Sequence, residues 1–91
     1  MHKYLIEDSH ESSHIHCVQA LDAFLQAGAH YLTNAEWGCR AGVHTAWIIV
    51  EAENDAEARL MVPPVIRKSA KLVRVNRFTP EEIREMQKEL E

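Results

Sequence analysis

The sequence predicts a small α+β domain built on one four-stranded antiparallel sheet. Three observations carry that expectation. Short segments rich in β-branched and aromatic residues alternate at period two, while others repeat apolar residues at helical spacing. Serine, asparagine and threonine caps stand at the heads of the helical segments. The segments then follow one another as β-α-β-β-α-β, with one further helix at the end. Ninety-one residues, 46% hydrophobic and 26% charged, suit a single folded domain over 1–91.

Taken in order, "KYLIED" (Lys3 to Asp8) has strand composition. "SSHIHCVQALDAFLQAG" reads as a helix with Ser12 or Ser13 as N-cap, Gly28 as its stop, and an inward stripe of Val18, Leu21 and Leu25. "HYLTNAEW" (His30 to Trp37) and "VHTAWIIVEA" (Val43 to Ala52) are strands joined by a turn at Arg40-Ala41-Gly42. In "NDAEARLMV", Asn54 and Glu57 have capping-box spacing, so a second helix begins there. Pro63-Pro64 ends it, because Val62 before a proline is pushed out of the helical region. "KLVRVNRF" is the fourth strand, and "TPEEIREMQKELE" (79–91) is a helix with Thr79 as cap, Pro80 at its first position and Glu82 closing the box. Its packed stripe is expected to be Ile83, Met86 and Leu90. This order is the split βαβ or ferredoxin-like pattern, and crossover handedness sets the sheet order as four-one-three-two.

Composition narrows the function. A formal charge of −4 argues against nucleic acid as a partner, because counterion release needs a basic face. The cluster from Arg67 to Arg77 leaves room for a local anion site. No apolar run approaches a membrane span, and "MHKYLIEDSH" is unlike a signal peptide, so a cytoplasmic protein with two reduced cysteines is expected.

In "HTAWIIVEA" both strand faces are apolar: Ala46, Ile48 and Val50 point one way, Thr45, Trp47 and Ile49 the other. Two helices cover only one face, so a second copy of the chain is the expected cover, giving a homodimer through the open sheet face. In this the chain resembles the dimeric α+β barrel families, among them the muconolactone isomerase-like, YCII-like and antibiotic-biosynthesis monooxygenase-like proteins. The resemblance is architectural, with "VEAENDAEARLMVPPVIRKSAKLVRV" the most similar passage. The chain is also similar in architecture to small nickel-binding proteins of this fold. No catalytic residue carries over from these families. What the resemblance implies is a small isomerase or monooxygenase-like enzyme, acting on an aromatic or acidic metabolite in a cavity between sheet and helices.

The residues themselves favour a different site. The topology brings the end of the first strand, the start of the first helix and the turn before the third strand to one sheet edge. His10, His14, Cys39 and His44 therefore meet there. Pairing His10 with His44 sets Ile6 opposite Ile48 and Tyr4 opposite Val50, an apolar register. His14 heads the inward stripe of the helix, and His16 lies outside. Imidazole and thiolate together suit a divalent transition metal such as zinc, nickel, copper or iron. Asp8 stands on the same strand face as His10, where it can orient a ligating ring.

Weaker candidates remain. Trp37, Trp47 and Arg67 are candidates for lining a small-molecule site, with core packing and a solvated basic turn as the commoner fates. Cys39 beside Arg40, and Cys17 in the first turns of a helix, are potential thiolates or else small packing residues. Glu7 is either a buried general base or, preferably, the ion-pair partner of Arg74 or Arg77. The expected function is metal or small-ligand binding at the His/Cys edge, ahead of catalysis.

Overall fold

The structure, a computed structural model, describes residues 1–10 and 13–90. Its elements are β1 (His2–Ser9), α1 (His14–Ala27), α2 (Ala29–Thr33), β2 (Ala35–Trp37), β3 (Thr45–Ala52), α3 (Asp55–Leu60), β4 (Lys71–Val75) and α4 (Pro80–Lys88). The four strands form one antiparallel sheet in the order β2-β3-β1-β4, which is the expected order read from the other edge. Ile6 pairs with Ile48 and Tyr4 with Val50. A slip of one residue would turn the slipped strand's apolar set away from the helices, so this register is strongly specified.

The inner sheet face holds the core. Ile6, Ala46 and Ile48 pack with Phe24 of α1 and with Val62 and Ile66, which follow α3. The caps are those the sequence predicts. Ser13 Oγ accepts from the His16 N–H at 3.1 Å, and Asn54 Oδ1 accepts from the Glu57 N–H at 2.9 Å. Thr79 and Glu82 complete a reciprocal capping box. Ser12, the alternative first cap, lies outside the described residues. Gly28 ends α1 at φ 152°, and its N–H donates to the Phe24 and Leu25 carbonyls.

Three expectations are corrected. The inward stripe of α1 runs through Cys17 and Phe24, 5% and 1% exposed, while Val18 and Leu25 are 49% and 48% exposed. Phe24 has the largest apolar surface on the helix, and it stacks edge-on against Trp37 with ring centroids 4.8 Å apart. Burying that ring sets the rotation of the helix. Second, residues 29–33 are helical rather than the start of a strand. One helical turn lets Tyr31 and Leu32 both lean on the core, where a strand would send them to opposite faces.

Third, Ile83, Met86 and Leu90 are exposed rather than packed. The capping box and the surface pairs Arg84–Glu81 and Lys88–Glu85 support α4 locally. The helix thus forms on local interactions while its apolar stripe stays largely exposed among the described residues. On the outer sheet face Ile49 and Val73 stay 62% and 41% exposed, so this two-faced sheet is open in the single chain.

Candidate metal centre

One edge of the sheet gathers the chemistry. The β1–β3 ladder runs one pair beyond the strands, the His10 N–H donating to the His44 carbonyl at 3.0 Å. The two imidazoles therefore start from directly opposed positions, and their rings meet edge-on with centroids 5.6 Å apart.

Cys39 opens a single 3₁₀ turn, Cys39–Ala41, between β2 and β3. Gly38 anchors that turn at both ends: its N–H donates to the Thr45 carbonyl at 3.0 Å, and its own carbonyl accepts from Ala41 and Val43. A Cβ at Gly38 would lie 2.6 Å from the Val43 carbonyl oxygen and 2.9 Å from the Trp47 ring. Only glycine allows so close a hairpin. Gly42 closes the turn at φ 84°, a left-handed conformation that glycine adopts without a steric penalty. Cys17 comes from α1, rotated onto the sheet by the burial of Phe24 two turns later.

These four side chains converge. One donor atom each from His10, Cys17, Cys39 and His44 lies within 4.8 Å of every other. Cys17 Sγ is 3.0 Å from His44 Nδ1 and 3.1 Å from His10 Nε2, and Cys39 Sγ is 3.3 Å from the same His10 Nε2. With both ring nitrogens presenting lone pairs, two thiol protons can serve only two of these three contacts. A single cation at the centre would engage all four donors at once. Tetrahedral zinc, with bonds of about 2.3 Å to sulfur and about 2.0 Å to nitrogen, has donor–donor edges of roughly 3.3–3.8 Å. The three sulfur–nitrogen contacts, at 3.0–3.3 Å, lie inside that frame, and the whole set spans no more than 4.8 Å, so the close pairs open and the widest close by up to about 1 Å to seat a metal.

Two further features bear on such a site. Burial pushes the Cys17 thiol up to about 11, with the neighbouring Cys39 adding to the shift. Desolvation thus outweighs the helix-dipole stabilisation expected of a thiolate in the first turns of a helix. His10 Nδ1 is buried without a hydrogen-bond partner among the described residues. In a ring that binds metal through Nε2, this is the nitrogen that carries the proton and seeks an acceptor. Asp8 lies two residues earlier on the same face, its carboxyl raised by burial and pulled back down by the charge of His10.

The predicted residues divide accordingly. His10, Cys39 and His44 come together, and Cys17 is their fourth member. The side chain of His14, expected as a ligand, lies outside the described residues. The signal for Cys17 was available, since it stands seven residues before the dominant aromatic of its own helix.

Trp37 and Trp47 do not share a cavity. Trp37 packs against the core, and its Nε1 is buried without a hydrogen-bond partner among the described residues. Trp47 lies on the outer sheet face and donates from Nε1 to Glu7 Oε1 at 3.0 Å. Glu7 therefore serves that indole. Its neighbour on β4 is Lys71, while Arg74 stands opposite Tyr4. Arg67 spends its guanidinium on the carbonyls of Val62 and Leu60, both at 3.1 Å, closing the end of α3. A groove of about 570 Å³, lined in part by His30, Tyr31, Ile49 and Met61, lies where β2 stops short of the far half of β3.

No helix among the described residues is long and apolar enough to cross a membrane. The chain matches no protein-family model, no curated protein and no solved structure.

Proposed function

We propose that the protein is a zinc-binding module in which His10 Nε2, Cys17 Sγ, Cys39 Sγ and His44 Nδ1 hold one ion. The observation that carries this reading is the convergence of the four donor atoms within 4.8 Å. Two thiolates and two imidazoles in a tetrahedral arrangement are the chemistry zinc prefers. Four protein donors fill its coordination, which favours a structural or metal-holding role over catalysis at the ion. The ion would join the end of β1 and the start of α1 to the β2–β3 hairpin, which lies some twenty residues or more further along the chain.

The test is elemental analysis by plasma mass spectrometry on untagged protein purified without chelator, beside the His44→Ala variant. One zinc per wild-type chain and none in the variant is the expected result. A metal-free wild type that also refuses zinc, nickel and copper on reloading would sink the reading.

The orphaned His10 Nδ1 gives a second expectation. With zinc on Nε2, the Nδ1 proton needs an acceptor, and Asp8 is the carboxylate on that face. Asp8→Asn should weaken zinc binding about 10–100-fold without abolishing it, in line with the loss of a carboxylate behind a ligating imidazole. Competition against a chromogenic zinc chelator measures this directly. An unchanged affinity would mean that another acceptor orients His10.

A further inference from the structure

We propose that Cys17 and Cys39 make this a releasing site: hydrogen peroxide joins them in a disulfide, and the metal is let go. The inference rests on the zinc reading above and deepens it.

The two sulfurs share a neighbour. Cys17 Sγ lies 3.1 Å and Cys39 Sγ 3.3 Å from the single atom His10 Nε2, and the sulfurs are within 4.8 Å of each other. They come from different elements, a helix and a hairpin turn, so a bond between them closes a loop while leaving the β1–β3 ladder intact. Their accessibility differs. Cys17 is buried at 5% exposure, whereas Cys39 is only partly buried, at the mouth of the hairpin. A zinc ion held by four protein donors offers no open position to a substrate and does not change oxidation state. The electrons available for chemistry at this edge are those of the two sulfurs.

The steps follow from that asymmetry. The Cys39 thiolate attacks one oxygen of hydrogen peroxide; the O–O bond breaks, a sulfenic acid forms on Cys39 and hydroxide leaves. The Cys17 thiolate then attacks Cys39 Sγ, forming the S–S bond and expelling a second hydroxide. Two electrons pass from the sulfurs to the peroxide, and two protons from solvent convert the hydroxides to water. Zinc departs as the divalent ion, since His10 and His44 alone are two ligands short of a structural site.

The experiment uses the full chain without a tag. Zinc stoichiometry is fixed first. Hydrogen peroxide is then added while a chromogenic chelator reports free zinc, and intact mass with peptide mapping reports the sulfurs. The expected result is one zinc released for each Cys17–Cys39 crosslink, with a loss of two hydrogens in mass and full rebinding after a thiol reductant. In Cys17→Ser the crosslink should vanish and Cys39 should stop at the addition of one oxygen, trapped by dimedone. Zinc retained with both thiols intact under excess peroxide overturns the switch alone. So does zinc lost with oxygen added to single sulfurs and no crosslink in the wild type. A protein that takes up no zinc at the first stage overturns the metal reading and the switch together.

Discussion

Stripping the ion from zinc-loaded protein with a chelator is expected to lower its thermal unfolding midpoint by about 15–30 °C. The size follows from linkage. Free metal at about a thousand times its dissociation constant stabilises a native state that alone binds it by about 4 kcal/mol. In a domain of this length 1 kcal/mol moves the midpoint by roughly 4–8 °C. The direction follows from the architecture. His10, Cys17, Cys39 and His44 lie on three segments, and without the ion only weak thiol–imidazole contacts tie those side chains together. Thermal melts in chelator and in excess zinc measure the shift, and Cys39→Ser serves as the control. That variant keeps three donors at most, so its midpoint should respond little to zinc. Equal shifts in wild type and variant would place the bound metal elsewhere on the chain, and no shift in either would remove it altogether.

The parts of this site that were legible in the sequence are those set by pairing. His10 meets His44 because Ile6 must meet Ile48 and Tyr4 must meet Val50. With a period-two pattern, a slip of one residue would turn one strand's apolar set to the outer face. Sheet order was legible for a similar reason, since crossover handedness leaves few ways to thread this element order. Caps were legible because they are local: Ser13, Asn54 and Thr79 each bond to a backbone N–H three residues on.

Helix rotation was not legible in the same way. The stripe through Val18 and Leu25 and the stripe through Cys17 and Phe24 lie one residue apart, and both are apolar. Only the presence of Trp37 beside Phe24, a contact between segments, decides between them. The segment His30–Thr33 was misread on the same account, because its composition favours a strand while its packing favours a helical turn. The apolar stripe of α4 was read correctly as amphipathic, but it stays exposed rather than packed among the described residues.

Phe24→Ala should cost about 3–5 kcal/mol, the usual range for removing a fully buried aromatic ring from a core. A domain of this size has about 5–14 kcal/mol of stability in all, so the variant should lose a large share of it in the absence of metal. Leu25→Ala, one residue on and 48% exposed, should cost well under half as much. Urea unfolding of the two metal-free variants beside wild type measures both. The comparison reaches beyond stability because Phe24 fixes the face of α1 that also carries Cys17, two turns earlier. Adding zinc should therefore restore part of what Phe24→Ala loses, by rewarding the one rotation of α1 that brings Cys17 Sγ to His10 and His44. If Leu25→Ala proves the costlier change, α1 is turned by one residue from the orientation described, Cys17 faces away from the sheet edge, and the four-donor site comes apart with it.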